Sequence, residues 1–341
     1  MIRKFLIGFG LVLVIAFAAY RHFHHAKPPL ETAYVGNRQV TLWSTTAQVR
    51  EPVVMVSFGD RVDVLDRFDD EVKVRTTSGE IGWTTDDQLL TSEFWHQEQQ
   101  LDAETAKMPI QARARTRVLS NLHIDAARAG ARIRQLDKGI AIDLYERRTV
   151  AVPSAPSANE EEMSDGPPAE AKKEDWWLVR AHVQTASKEG ATLSGWLLGR
   201  FVDLDVPEPL PDYASSAGMR IVAWYELNHV VDDTGTARPQ YLVLGTRGGE
   251  GQPCDFTLIR VFTWGKQKER YETAFVASDL CGKLPLKLSA ATAPGGDATF
   301  SFEDWSAGSA DERTYHMHQT IVRQERAEGS ETPAKRKHGH S

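Results

Sequence analysis

The chain lacks most of the motifs around which enzymes are built. Its 341 residues include only two cysteines, and no Gly-x-Ser-x-Gly, phosphate-binding loop or His-Glu-x-x-His motif occurs. Two cysteines are too few for a structural zinc site of the cysteine-rich type. The net charge of −7 gives no basic surface for nucleic acid. We therefore expect no enzymatic activity, no catalytic residues, no cofactor, no bound metal and no nucleic-acid partner.

Long hydrophobic runs are also missing, apart from one at the N-terminus. Residues 5–20 carry no charge and follow a short basic start. This run is slightly shorter than the roughly 20 residues that span a bilayer core. We favour a single-pass membrane anchor within residues 1–25, with the bulk of the chain in the periplasm. The alternative is a signal peptide that is cleaved near Ala18, at a small-x-small sequence.

Both cysteines, Cys254 and Cys281, lie in the last third of the chain. In an exported protein we expect them to form one disulfide, with two separate buried thiols as the alternative. A catalytic Cys254 with His229, His316 or His318 as its base is a further alternative. We disfavour it because Cys254 follows Gln-Pro and precedes a strand, with no helix N-terminus to lower its pKa.

Two stretches of the chain share one run of strand and turn signals. Each has a turn glycine, an alternating strand, a second strand, and a Gly-Trp pair that opens a third. These features fall at Gly59, 60–65, 72–75 and Gly82-Trp83 in the first stretch, and at Gly139, 140–145, 176–180 and Gly195-Trp196 in the second. Such an order is typical of a small, strongly bent β-barrel. The repetition predicts one barrel over residues 34–90 and another over residues 110–204.

The repeated features resemble the bacterial SH3-like (Src-homology-3-type) domain, a small barrel of cell-envelope proteins and cell-wall hydrolases. The likeness rests on the glycine before the first strand, on the Val-Lys-Val or Trp-Leu-Val-Arg strand, and on the Gly-Trp pair. The Leu-Asn-Val-Arg-Ser sequence that usually opens the family is replaced by residues 40–44 and 117–120. The resemblance implies binding of peptidoglycan peptides or of a partner protein.

Four tryptophans are the candidate binding residues. Trp83 and Trp196 stand where such a barrel usually closes its end, and ligand contact is the alternative role. Trp176 and Trp177 are neighbours in a strand and point to opposite faces. We expect one of them in the core and the other exposed, and the exposed one is the best candidate because aromatic side chains anchor interfaces. Trp43 is a weaker candidate.

The remaining segments have simpler compositions. A weak helical stripe predicts a connecting helix over residues 91–106. Residues 150–174 are rich in proline and glutamate and predict a disordered insert in the second barrel. A proline-rich spacer at 206–211 marks a boundary. Residues 212–324 contain five to six strands at hairpin spacing, which predict an antiparallel meander, and 325–341 form a polar tail that we expect to be disordered.

The sequence thus predicts an all-β fold: two small SH3-like barrels and an antiparallel β-meander domain, behind one N-terminal hydrophobic helix. We expect a membrane-tethered envelope protein that binds peptidoglycan peptide or an envelope protein, with membrane contact through residues 5–20. One alternative is a regulatory or targeting subunit of an envelope enzyme. Another is a cell-wall hydrolase with an active site in its C-terminal domain. His316 and His318 share a strand face, but two ligands without a third do not predict a metal site.

Overall fold

The computed structural model describes residues 28–152, 171–183 and 191–325. The predicted N-terminal helix, its cleavage point, the middle of the acidic insert and the C-terminal tail lie outside these ranges. Within the described residues, no helix is long and apolar enough to cross a membrane. Contacts between Cα atoms divide the chain into two compact units, with the boundary in sequence between Gln97 and Glu98.

The first unit is one seven-stranded antiparallel sheet, called here the first module. Its strands are β1 (Glu31–Val35), β2 (Gln39–Trp43), β3 (Pro52–Ser57), β4 (Arg61–Phe68), β5 (Glu71–Thr76), β6 (Ile81–Thr85) and β7 (Leu89–Thr91). Neighbouring strands follow the order β3-β2-β6-β5-β4-β1-β7. Alternation predicts five strands, at residues 40–43, 53–56, 62–65, 72–75 and 81–84, and all five are present as β2 to β6. The sequence did not predict β1 and β7, and β7 is too short to show an alternating pattern.

The second unit opens with a sheet of the same design, the second module. Its strands are β8 (Ala112–Thr116), β9 (Ser120–His123), β10 (Arg132–Leu136), β11 (Ala141–Ala151), β12 (Lys173–Val183), β13 (Ala191–Leu198) and β14 (Val202–Leu204). Their spatial order, β10-β9-β13-β12-β11-β8-β14, matches that of the first module strand for strand. The sequence repeat is therefore a repeat of topology.

Neither sheet closes, so the prediction of closed barrels is wrong, while the all-β prediction is confirmed. Among the described strands, β3 and β7 are the edges of the first sheet, and β10 and β14 are the edges of the second. The terminal strands β7 and β14 have three residues each and pair only with β1 and β8.

The repeated Gly-Trp pair has a steric cause. Gly82 and Gly195 occupy the same place in β6 and β13, where the sheet bends over the preceding hairpin. A Cβ atom on Gly82 would lie 2.7 Å from Cβ of Leu42, and one on Gly195 would lie 2.7 Å from Cγ of Leu122. Leu42 and Leu122 are both fully buried. Only glycine lets the two strands approach so closely, because any side chain there would displace the core leucine.

One helix, α1 (Ser92–Thr105), follows the first module, as the weak helical stripe predicted. The hairpin of β11 and β12 is longer than the sequence suggested. Its pairing continues to Ala151 and Lys173, so both ends of the predicted disordered insert are strand. Only residues 153–170 of that insert lie outside the described ranges.

The third region contains two four-stranded antiparallel sheets instead of the single predicted meander. They are preceded by a short helix, α2 (Leu210–Ser216). The first sheet has β15 (Arg220–Val231), β16 (Ala237–Thr246), β17 (Leu258–Gly265) and β18 (Arg270–Ala277), and the second has β19 (Gly282–Ser289), β20 (Ala298–Asp304), β21 (Asp311–His318) and β22 (Ile321–Gln324).

Two features of the third region explain why its strands were predicted incorrectly from the sequence. The unpredicted strand β19 contains Pro285, which lowers the expectation of a strand, yet β19 lies at a sheet edge where proline is tolerated. Its register with β20 is irregular between Lys283 and Lys287, around that proline. The segment 314–322 is a hairpin and not one strand, since Gln319 has a positive φ of 54° and turns the chain.

Candidate functional site

The first module leaves one face of its sheet open. Along β5, burial alternates strictly: Val72, Val74 and Thr76 face the core, and the residues between them face outward. Trp43 on β2 and Trp83 on β6 are direct cross-strand partners. Both lie on the outward face and are half-buried. Two indole rings are therefore presented side by side on the solvent face of the sheet.

Each of these indoles has a cation over its ring. The guanidinium of Arg50 lies 4.6 Å from the ring centroid of Trp43, and the ammonium of Lys73 lies 5.7 Å from that of Trp83. Arg50 also forms an ion pair with Glu71 at 3.3 Å. Cation–π contacts of this kind orient both partners. The pair is thus an apolar platform with the Lys73 ammonium and the Arg50–Glu71 ion pair beside it.

The strand β3 borders this platform and is an open edge of the sheet. It contains no charged residue, and two of its apolar side chains face solvent: Val53 is 43% exposed and Met55 is 59% exposed. Exposed, uncharged edges are unusual, because their free backbone groups pair readily with another strand. We call the combination of Trp43, Trp83, Arg50, Lys73 and the β3 edge the open face.

The equivalent face of the second module is covered by the chain itself. Every residue of β12 from Glu174 to Val179 is buried, so this strand shows no alternation. A cluster of large apolar side chains lies on that face, with residues of α1 and of the connecting segments packed against it. Its members are Ala126, Tyr145, Trp176, Leu178, Trp196 and Leu198, with Leu101, Met108, Val150 and Phe201 at the rim.

The expectation that Trp176 or Trp177 is exposed is therefore wrong. Trp176 is 3% exposed and Trp177 is 7% exposed. The side chains do point to opposite faces, but both faces are covered. Trp176 lies in the cluster beneath α1 and makes an edge contact with His123, with ring centroids 5.5 Å apart. Trp177 lines a cavity of about 730 Å³ that lies between the second module and the third region.

The two Gly-Trp motifs also differ in environment. Trp196 is buried in the cluster, with the guanidinium of Arg148 at 4.2 Å from its ring centroid. Trp83, at the same position in the first module, is half-buried on the open face. Its neighbour Trp43, the weaker sequence candidate, belongs to the open face as well. Alternation with the buried Val40 and Leu42 was the signal in the sequence that put Trp43 on that side.

Behind Trp177, a buried arginine joins the second module to the third region. The side chain of Arg147 is 5% exposed and donates to Asp175 at 2.6 Å and to Asp255 at 2.9 Å, and both carboxylates are equally buried. Arg147 also donates to the carbonyl oxygens of Gln252 and Cys254. One cation between two carboxylates accounts for the burial of all three side chains.

The two cysteines are joined in a disulfide next to this cluster. Cys254 and Cys281 have Cα atoms 4.8 Å apart and bridge the start of β19 to the segment before β17. A bonded sulfur has no thiolate, so Cys254 is not a nucleophile in this state. His316 and His318 share an exposed face of β21, where His316 contacts Glu325 and His318 contacts Asp297. The described part of the chain contains no group of three potential metal ligands.

A buried carboxyl lies under α1. Glu98 is fully buried and accepts a hydrogen bond from Gln99 at 2.7 Å, while its other oxygen has no partner among the described residues. Burial raises the pKa of Glu98 to about 7, because the ionised form is poorly solvated there. One helical turn further, Asp102 accepts from Arg180 at 3.1 Å and from Ser194 at 2.7 Å. These contacts fasten the helix to β12 and β13.

Comparison with known proteins gives only distant similarities. No protein-family model and no curated protein matches the chain. Among solved structures, an NlpC/P60 family protein from Bacillus cereus is 13% identical, with a TM-score of 0.21 over 58% of this chain. The chain spans 65% of that protein's length. NlpC2 from Trichomonas vaginalis is 11% identical, with a TM-score of 0.17 over 86% of this chain and 96% of NlpC2. TM-scores this low support no conclusion about fold or function.

Proposed function

We propose that the chain is a non-enzymatic binding protein of the cell envelope, tethered to the membrane through residues 5–20, whose first SH3-like module binds cell-wall peptide at the open face. One observation carries this proposal. Two modules of identical strand order differ in that the second covers its outer face with its own side chains, whereas the first leaves an indole pair half-exposed. A surface of this kind is typical of a binding site.

The chemistry of the open face suits a short, extended peptide with free carboxylates, as cell-wall peptides have. Trp43 and Trp83 offer apolar area with little conformational entropy to lose. Lys73 brings positive charge to the same spot, next to the Arg50–Glu71 ion pair. The free backbone groups of β3 can pair with an extended chain, in the manner of strand addition. Together these groups supply apolar contact, charge and backbone hydrogen bonds.

One further observation, the disulfide, supports an exported, non-catalytic protein in two ways. The disulfide between Cys254 and Cys281 is of the kind that persists in oxidising compartments such as the periplasm. It also occupies the sulfur that a cysteine hydrolase would need as its nucleophile.

The test is co-sedimentation of the full-length chain with isolated peptidoglycan. We expect Trp83→Ala and Trp43→Ala each to weaken pelleting at least about fivefold, as loss of an aromatic anchor does at other interfaces. Trp305→Ala is the matched control, because Trp305 is also exposed but lies in the third region. Circular dichroism checks that each variant folds. Equal pelleting of the wild type and both module variants would place the wall-binding site elsewhere.

A protein partner is the second candidate, favoured by the uncharged edge of β3. If the wild-type chain does not pellet with peptidoglycan, this candidate replaces the first. A regulatory or targeting subunit of an envelope enzyme would bind its partner by pairing a partner strand with the β3 edge. Met55→Lys, which puts a charge on the edge, should then abolish crosslinking to the partner in membranes.

A further inference from the structure

The cavity beside Trp177 is a second concave site, and it lies entirely within the second unit. Its volume of about 730 Å³ falls within the usual range of small-molecule sites. Trp177 on β12, Ala214 on α2 and Ile221 on β15 contribute to its apolar lining, together with Met219. Trp177, Ala214 and Met219 are themselves at most 7% exposed. The recess therefore has an apolar floor, while exposed charged side chains, Arg220 and Glu250 among them, lie at its open rim.

Most charges that line this cavity are already neutralised. Asp175 is bound by Arg147 at 2.6 Å. Arg200 donates to Glu174 at 2.9 Å, and the Arg128 and Arg200 guanidinium groups lower the pKa of the Glu174 carboxyl to about 2. Arg117 lies 3.7 Å from Asp203. These pairs are part of the wall and leave no net charge for a ligand to meet.

Two charges at the cavity are not neutralised in this way. Arg220, at the start of β15, and Glu250, in the loop after β16, both line the cavity. Neither has an ion-pair or hydrogen-bond partner for its side chain among the residues that the structure describes. They lie near each other in the fold, since Arg220 is paired with Thr246 in the β15–β16 ladder and Glu250 follows four residues later, in the loop after β16. One positive and one negative exposed group thus lie at the rim of a single recess.

The loop that carries Glu250 is held in place from several sides. The backbone N–H of Gly251 donates to Asp175 at 2.9 Å. The carbonyl oxygen of Gln252 accepts from Arg147 at 3.0 Å and from Thr149 at 3.2 Å. Cys254 then fixes the end of the loop through its disulfide. A wall fixed before binding loses little entropy when a ligand arrives.

We propose that this cavity binds a zwitterionic ligand with an apolar side chain, namely a free amino acid or a short peptide. Arg220 pairs with the carboxylate and Glu250 with the ammonium group, while Trp177 and Met219 receive the apolar side chain. The site is separate from the open face and does not depend on the proposed wall-peptide binding. A ligand with both charges gains two charge-assisted contacts, and a ligand with one charge leaves a partner unused.

The test is calorimetric titration of the full-length chain with three probes that carry the same two side chains: leucyl-leucine, N-acetyl-leucyl-leucine and leucyl-leucinamide. The first carries both charges, the second only a carboxylate, and the third only an ammonium. We expect leucyl-leucine to bind at least about tenfold more tightly than either single-charge probe. In Arg220→Gln, leucyl-leucine should lose its advantage over leucyl-leucinamide, and in Glu250→Gln it should lose its advantage over N-acetyl-leucyl-leucine. Arg220→Lys should keep the preference.

Two controls separate this site from the rest of the molecule. Arg323→Gln removes an exposed arginine on β22 that does not line the cavity, and it should bind leucyl-leucine as the wild type does. Trp83→Ala should also bind normally, even if it no longer pellets with peptidoglycan. The proposal is overturned if leucyl-leucine gives no binding heat, if the three probes bind equally, or if Arg220→Gln and Glu250→Gln both leave binding unchanged.

Discussion

The two modules have one strand order but use it in different ways. In the first, β5 buries every second residue, and the outer face carries charges and two tryptophans. In the second, β12 buries six residues in a row because α1 covers one face and the third region adjoins the other. The comparison shows that a sheet's topology does not decide which face is free to bind. That is decided by what the rest of the chain packs against it.

The two modules also share an arginine at the same register position. Arg67 faces Val72 across β4 and β5, and Arg147 faces Trp177 across β11 and β12, each just after a β-bulge. Arg67 bridges Glu31 and Asp86 at the surface, where its side chain is 44% exposed. Arg147 bridges Asp175 and Asp255 in the interior. The same residue type therefore forms ion pairs at the surface of the first module and in the interior of the second unit.

The largest expected difference between the modules comes from replacing these two arginines by methionine. Arg147→Met leaves the buried Asp175 without a cation and Asp255 with only Lys283, 4.0 Å away, and we expect it to lower the free energy of unfolding of the second unit by about 3–5 kcal/mol. Arg67→Met breaks only exposed ion pairs and should cost less than about 1 kcal/mol. Hydrogen exchange of the β12 and β5 amides measures each loss locally. Equal losses of unfolding free energy in the two modules would contradict the difference that we infer between Arg147 and Arg67.

The second prediction concerns the helix that covers the second module. In the unfolded chain Glu98 ionises near pH 4.5, but in the folded chain it keeps its proton until about pH 7. The folded state therefore binds more protons between these values, and stability falls as the pH rises through this window, by up to about 3 kcal/mol. Urea unfolding between pH 4 and 8, as rough limits of that window, measures the slope.

Glu98→Gln removes this titration and should flatten the pH dependence of unfolding between those limits. Glu104→Gln is the matched control, since Glu104 is an exposed glutamate on the same helix. A wild-type protein that becomes more stable as the pH rises from about 4.5 to about 7 would show that Glu98 is ionised in the folded state.

The third prediction uses the repeated glycines. Gly195→Ala places a methyl within 3 Å of atoms of Leu122, His123 and Ile133, whereas Gly82→Ala meets only Leu42 at such a distance. Overpacking of this kind typically costs about 1–3 kcal/mol. We expect Gly195→Ala near the upper end and Gly82→Ala near the lower end, as measured by thermal unfolding. The reverse order would mean that the second module relaxes more easily than the first.

The smallest expected effect concerns the cations over the equivalent tryptophans. Arg148 lies 4.2 Å from the ring of Trp196, and Lys73 lies 5.7 Å from the ring of Trp83. Arg148→Gln should cost about 0.5–1 kcal/mol of stability, and Lys73→Gln less than that. Chemical denaturation of each variant at low and high salt measures both. If Lys73→Gln leaves stability unchanged but weakens pelleting with peptidoglycan, the role of Lys73 is in binding.

Local sequence patterns predicted much of the fold and little of the candidate site. Alternation located β2 to β6, and the Gly-Trp pairs marked the close approach of strands in both modules. The proline in β19 concealed a real edge strand, because propensity does not tell whether a strand lies at an edge. Nothing in the sequence pointed to the Arg147 cluster, since Asp255 lies 108 residues further along the chain.

The sequence by itself determined that the protein is built of antiparallel strands and that one module is repeated. These properties follow from side-chain alternation, turn glycines and residue type, which act over a few residues. Tertiary structure decided which tryptophan side chains are exposed to solvent. Trp83 and Trp196 occupy the same motif, yet only Trp196 is covered, because α1 and the long β11–β12 hairpin pack over its sheet. Exposure depends on contacts between segments far apart in sequence, and no local pattern encodes them.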